Sequence, residues 1–356
     1  MSDVANTRPT LAAVARRAGV SASTASLVFS GAGPVADATR ARVLEAAAEL
    51  DYAGPDPTAR SLRRGRTGVI GLVTEDSLGD AFRDPVNLAL LDGLGEELSD
   101  DAYGLLVLPW TGEPGGVDLG DVPMDAAILL GCSVDLARSV EILQRRRIPI
   151  VAIEAPPLPG VVPIDLDNAE ATARGAGLLR ELGHERVALV TLPLDLARER
   201  GPLTPEREAA ATAYTAIERI RGARSMFPDA VGVSAGGSTV AEGHAAGLAL
   251  LDVPAADRPT AVIAQSDLLA AGVIRAAEEL GIDVPGELSV LGFDGIRLDG
   301  ITPHVLTTLV QPSVEKGRLA GRAVRAALAD GAAPGSAVTA ELRRGETAAA
   351  PRAAGR

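Results

Sequence analysis

From residue 69 to residue 294 the chain alternates short apolar runs with stretches of helical spacing, and this alternation constrains its fold more than any other feature. The runs are VIGLVT (69–74), YGLLVLP (103–109), DAAILLG (125–131), IPIVAIE (148–154), RVALVT (186–191), TAVIAQ (260–265) and ELSVLGFD (287–294). Runs that are apolar throughout, instead of at every second residue, belong to strands covered on both faces, and strands separated by helices pair in parallel. The helical pattern falls on 85–99, 134–146, 168–182, 206–221, 240–251 and 267–280. Seven strands exceed one mononucleotide-type sheet, so the sequence predicts an α/β body of two similar lobes, each a doubly wound parallel sheet. In such sheets ligands bind outside the C-terminal ends of the strands. The residues just past those ends are Glu75, Trp110, Glu154, Gln265, Ser266, Asp267 and Asp294. Asp267 suits a helix-capping role equally well.

The first 67 residues follow a different grammar. TLAAVARRAGVSASTASLVFS (10–30) reads as two short helices around a glycine. Thr10 is an N-cap, Leu11, Val14, Ala15 and Ala18 form one apolar side, and Gly19 can take the positive φ that ends the helix. Ser21 caps the second helix, in which Ala25 and Val28 face inward. Ala22, Ser23, Ser26 and Leu27 are left outside, and small outward residues let a helix enter the major groove closely. A third helix is expected from Asp37 to Leu50, with Val43, Leu44, Ala47 and Leu50 inward and Arg40 and Arg42 outward. The formal net charge of −13 is unevenly divided: residues 1–66 hold nine Arg against six Asp and Glu. The remainder holds 25 basic and 41 acidic residues, an acidic body that suppresses loose adhesion to nucleic acid and leaves a basic head to make the contact. DPTARSLRRGRTGVIGLV places a Pro-bounded, Arg-rich linker between the two grammars.

Several function classes are excluded. The chain holds no G-x-x-x-x-G-K-[ST] loop, no G-x-G-x-x-G after a strand and no Ser/His/Asp set built on His184, His244 or His304, so it does not read as an enzyme. One cysteine, Cys132, forbids an internal disulfide and fits a reducing cytoplasm. Three histidines and one cysteine, all scattered, offer no zinc spacing, and no metal or cofactor is expected. MSDVANTRPT lacks a signal pattern, and no apolar run reaches the roughly 18 residues of a membrane span.

Head and body together resemble the lactose/galactose repressor (LacI-type) family of bacterial transcription regulators. The matching residues in the head are Thr10-Leu11, Val14-Ala15, Ala18-Gly19-Val20-Ser21, Thr24, Ser26, Thr39-Arg40, Arg42-Val43-Leu44, Ala47, Leu50, Tyr52, Pro55 and Ala59-Arg60-Ser61-Leu62. In the body they are LGHERVALV, PTAVIAQSDLLAAGVIRAAEELGIDVPGELSVLGFDG and LTTLVQPSVEKGRLAGRAV. The resemblance implies a helix-turn-helix head (1–54), a hinge (55–67) and a two-lobed, periplasmic-binding-protein-like core (68–346). The N-lobe would take about 68–163 and 308–331, the C-lobe about 164–307 and 332–346, with 347–356 a disordered tail.

It also implies a homodimer on a palindromic double-stranded operator. Thr10, Arg16, Arg17, Ser21, Ala22, Ser23, Thr24, Ser26 and Leu27 would lie at the major groove and its phosphates. Ala59, Arg60, Leu62 and Arg63 would form a hinge helix at the minor groove, where Leu62 wedges between base pairs. A small molecule, a sugar or another metabolite, is expected between the lobes against Phe82, Trp110, Arg207, Ser266, Asp267, Asp294 and Gln311. Leu27 and Asp56 depart from the usual Arg and Asn, and Ala210 stands where members carry a ligand-gripping Arg. A chain that kept the core but lost operator recognition is therefore the competing reading.

Overall fold

The computed structural model describes residues 9–31, 33–54, 65–75, 77–101, 103–109, 117–131 and 136–352, which fall into two compact units divided between Gly68 and Val69. The hinge candidates Ala59, Arg60, Leu62 and Arg63, together with Trp110, lie outside the described residues.

The first unit contains α1 (Leu11–Ala18), α2 (Ala22–Ser30) and α3 (Asp37–Glu49). Thr10 caps α1 by accepting from Ala13 N, Gly19 ends it at φ 66°, and Ser21 caps α2 by accepting from Thr24 N. Val14, Ala15, Ala18, Ala25, Val28, Val43, Ala46 and Ala47 form the buried centre, and Phe29 meets Tyr52 edge-on at 5.5 Å. Leu44 does not belong to that centre; it is 49% exposed. The inward stripe of α3 runs 43, 46, 47, 50, the i, i+3, i+4, i+7 spacing of one helix face, and position 44 lies off it.

The second unit holds two sheets. Its strands are β1 (Val69–Thr74), β2 (Gly104–Pro109), β3 (Ala126–Leu130), β4 (Ile150–Ile153), β5 (Val162–Leu166), β6 (Val187–Thr191), β7 (Gly201–Pro202), β8 (Val231–Ser234), β9 (Ala261–Ala264), β10 (Ser289–Asp294), β11 (Thr307–Val310), β12 (Ser336–Val338) and β13 (Glu341–Arg343). Its helices are α4 (Leu78–Ala81), α5 (Pro85–Leu98), α6 (Leu136–Arg145), α7 (Asn168–Glu181), α8 (Pro205–Ala209), α9 (Tyr214–Met226), α10 (Val240–Leu251), α11 (Asp267–Glu279) and α12 (Ser313–Asp330). The N-lobe sheet runs β12-β5-β4-β3-β1-β2, and the C-lobe sheet β13-β11-β10-β9-β6-β8-β7. Their central pairs are parallel, while β13 and β7 join the edges of the second sheet antiparallel.

Each sheet carries helices on both faces, as continuous apolar strands require. In the N-lobe α5 and α12 cover one face through Leu90, Leu94, Ala320 and Val324, and α6 covers the other through Val140 and Leu143. In the C-lobe α10 and α11 oppose α7 and α9. Paired helices approach so closely that a methyl on Gly93 would overlap Val314 O, and one on Gly272 would overlap Val240 O.

The chain passes between the sheets at residue 167, at 311–312 and at 339–340. The expected lobe limits at 163/164, 307/308 and 331/332 therefore require correction. β5 stays with the N-lobe, β11 stays with the C-lobe, and β12 returns to the N-lobe before the last crossing. These strands carry Pro163, Thr307, Thr308 or few apolar residues and do not read as buried runs. The expected disordered tail is also corrected as far as residue 352. Thr347 is fully buried: its Oγ1 accepts from Thr307 N at 3.0 Å and donates to Val290 O at 2.7 Å. Two residues further on, Ala349 N donates to Ser289 Oγ at 3.0 Å, and Ala349 O lies 2.9 Å from His184 Nε2. Among the described residues no helix is long and apolar enough to cross a membrane.

Candidate functional site

On the head, the outward face of α2 presents exposed Ala22, Ser23 and Leu27 and half-buried Ser26. Ser21 Oγ lies 2.8 Å from both Ser23 Oγ and Thr24 Oγ1, so the hydroxyls at the start of α2 form one ordered set. Arg16 and Arg17 are exposed at the last turn of α1, and Arg17 Nε pairs with Glu49 at 2.6 Å. Thr10 is exposed at the N-terminus of α1.

In the second unit a cavity of about 740 Å³ opens at the C-terminal ends of both sheets. Its floor is a network of charged and amide side chains. Glu154, one residue past β4, is bonded by Lys316 of α12 and accepts from Asn168 Nδ2 at 2.8 Å. Arg219 of α9 donates Nε to Asn168 Oδ1 at 2.8 Å and Nη1 to Gln265 O at 2.5 Å. Its guanidinium lies 3.5 Å from the ring centre of Phe293, a cation–π contact. Arg219 Nη2 is 3.8 Å from Glu154 and Nη1 is 3.7 Å from Asp294, near enough for charge attraction but outside hydrogen-bond range. Gln311 closes the set: its Oε1 accepts from Lys316, and its Nε2 donates to Asp294 Oδ1 at 2.6 Å.

Glu154 and Asp294 both hold left-handed backbone, at φ 52° and 117°. Non-glycine residues adopt such angles at a cost of order 1–3 kcal/mol, repaid where the surroundings fix them. Their charge states are driven apart. Burial opposes ionisation of Glu154, but Lys316 and Arg219 outweigh it and hold its pKa at about 2. Burial pushes Asp294 well above its ordinary value; Arg219 opposes the rise and Asp267 adds to it. Among the described residues no three His, Cys, Asp or Glu stand close enough to hold a metal ion.

The profile for "Bacterial regulatory proteins, lacI family" matches residues 10–54, and that for a periplasmic binding protein-like domain matches 176–347. An HTH-type transcriptional regulator of Mycolicibacterium smegmatis is 33% identical over 97% of this chain and 97% of its own. The chain belongs to the LacI family. The HTH-type transcriptional repressor CytR of Escherichia coli is 31% identical over 88% of this chain and 87% of its own. Among solved structures, a complex of the transcriptional regulator CelR with cellobiose aligns at a TM-score of 0.65 and 25% identity, covering 96% of this chain and all of that one. As a LacI-family member the protein is a DNA-binding transcriptional regulator and not an enzyme.

The expected effector residues divide between the LacI-type cleft and its surroundings. Ser266, Asp294 and Gln311 line the cavity. Asp267 does not face it: its Oδ2 accepts from Gly295 N at 2.8 Å and Ile296 N at 3.0 Å, and Oδ1 accepts from Thr308, so it shapes the turn that aims Asp294. Arg207 spends its guanidinium on Pro202 O at 3.0 Å and Glu199 O at 2.6 Å, away from the described lining. Phe82 is 48% exposed and stands outside that lining too. Sequence reasoning missed Asn168, Arg219 and Lys316. Each sits inside a helix, where a polar residue reads as surface. The available signal was position: Asn168 and Lys316 occupy the first turns of helices that begin at the lobe crossings, and Ala213, Ala216 and Arg219 share one face of α9.

Proposed function

We propose that this LacI-family regulator represses transcription as a homodimer on a palindromic operator, and that a hydroxyl-rich small molecule held between its lobes sets operator affinity. The observation that carries this reading is the presence in one chain of an exposed recognition-type helix on a basic head and a cavity between two parallel sheets. Ser23, Thr24, Ser26 and Leu27 face the operator, with Thr10, Ser21 and Ala22 at the helix starts. Arg16, Arg17, Arg60 and Arg63 neutralise phosphates, and Ala59 and Leu62 belong to the minor-groove hinge. Ser266, Asp294 and Gln311, joined by Arg219, meet the effector. The CytR relative is named a repressor and the CelR structure holds cellobiose, which supports both halves.

Exposed Leu78, Leu105 and Leu106, on α4 and the β2 edge beside it, leave apolar surface at this edge of the N-lobe sheet for a second copy to cover. Operator binding measured across salt tests the first half. Four phosphate-directed arginines per protomer give a dimer a slope near −7 in log K against log salt, at about −0.9 per phosphate. A flat response, or equal affinity for every duplex, rejects operator reading. The second half is tested with a panel of polar metabolites added to the protein–operator complex. If none alters operator affinity, the effector reading fails.

A further inference from the structure

The cavity is lined by more negative than positive charge. Seven of its lining residues are Asp or Glu, and four are Arg or Lys. Arg200, outside the lining, pairs with Glu242 at 3.4 Å, and the balance still stays acidic. Both buried cations are committed: Lys316 is bonded to Glu154 and Gln311, and Arg219 to Asn168 and Gln265 O. No aromatic side chain belongs to the described lining, so a flat ligand finds no ring there to stack on.

Asp294 is the carboxyl left short of a donor. It is 9% exposed, and its Oδ1 accepts from Gln311 Nε2 at 2.6 Å. Oδ2 is bonded to nothing among the described residues, and Arg219 comes no nearer to the carboxyl than 3.7 Å. Burial resists its ionisation and Asp267 adds a like charge, a combination that a cation at Oδ2 would offset. Two further polar side chains that line the cavity have no partner among the described residues. Thr215, in the first turn of α9, is 7% exposed; Asn87, in the first turn of α5, is half-buried. Buried polar groups left unbonded cost free energy, which a ligand with matching groups relieves.

We propose that the effector is a polyhydroxylated amine, an amino sugar or an aminated polyol, whose ammonium pairs with Asp294 Oδ2 while its hydroxyls meet Thr215 and Asn87. The proposal rests on the effector reading and names the class of molecule the cleft selects. Phosphorylated and carboxylated metabolites would bring further negative charge into a lining that already holds an excess, and are rejected. A neutral hydroxyl can donate to Oδ2 but leaves that excess uncompensated.

Isothermal titration calorimetry of the full chain, without operator, compares matched probes. One set is glucosamine, glucose, N-acetylglucosamine and the phosphate ester of glucose; a second is its galactose counterpart; a third sets glucamine against sorbitol. In at least one set the amine should bind about tenfold or more tightly than its hydroxyl parent, the gain of a charge-assisted over a neutral hydrogen bond. N-acetylation, which removes the charge, should abolish that gain. Asp294→Asn should erase the difference between amine and parent. Thr215→Val should weaken both by a similar factor, with near-UV circular dichroism reporting that each chain is folded. Sets in which every parent or phosphate ester binds as tightly as its amine overturn the proposal, as does the absence of binding by all the amines. An amine preference that survives in Asp294→Asn overturns it too. Should that variant not fold, the amine-to-parent ratio in the natural chain decides alone. Because the titration contains no operator, its failure leaves the effector reading standing, whereas a metabolite panel without effect on operator affinity removes that reading and leaves the binding ratios intact.

Discussion

Replacing Glu154 by glutamine should be among the most damaging single-atom changes available in the core. The side chain keeps its shape, but Lys316, 1% exposed, loses its counter-ion. The magnitude follows from the carboxyl itself. Its pKa falls from an ordinary 4.5 to about 2, and at 1.36 kcal/mol per pH unit this is worth roughly 3 kcal/mol. Breaking a buried ion pair by removing one partner costs about 3–5 kcal/mol, which agrees. At about 2–4 °C per kcal/mol, the calorimetric transition of the core should drop by about 6–12 °C at pH 7. Adding Lys316→Met should recover part of the loss, since Lys316 is then no longer left unpaired while Arg219 still lacks Glu154. The pH dependence supplies an independent readout. Glu154 is depressed in the folded state, so its contribution is complete above 4.5 and is lost as pH falls from 4.5 to about 2. The Glu154→Gln variant should lack that component. A loss under about 1 kcal/mol, or no recovery from Lys316→Met, would refute the reasoning.

Three further outcomes are expected. Gly272→Ala drives a methyl into Val240 O and His244 N where α10 and α11 touch, and overpacking of this kind should cost about 1–3 kcal/mol in urea unfolding. Thr347→Val keeps the volume but leaves Thr307 N and Val290 O without their hydroxyl, and about 1–3 kcal/mol should be lost per orphaned group. His184 is held down by burial, against the opposing bond to Ala349 O, so its ring resonance in NMR should titrate with a midpoint below 6.5; protonation there opposes folding.

The central strands of both sheets were legible because they are apolar throughout, and observed limits such as Val69–Thr74 and Ser289–Asp294 differ from the expected runs by at most two residues. What escaped notice were elements with mixed composition. The segment expected as one helix over 206–221 is two, Pro205–Ala209 and Tyr214–Met226, because four residues between them leave helical geometry. Leu44 was misplaced because its apolarity outweighed its phase on the helix. The cleft was legible only in part. Asp294 ends β10 and Gln311 follows β11, so both could be found by strand position, whereas the helix positions of Lys316 and Arg219 do not by themselves show that both side chains meet Glu154. Pairing between residues 154 and 316 is a tertiary fact with no local signature.

The last described residues carry a practical lesson for handling the protein. Because Thr347 and Ala349 stitch the start of β10 to β11 and His184, a chain cut back to residue 346 would uncover Val290 and strip three backbone partners from the sheet's lower margin. Affinity handles and fluorescent fusions therefore belong after residue 352, where they leave that seam intact, and any shortened core designed to crystallise should keep it.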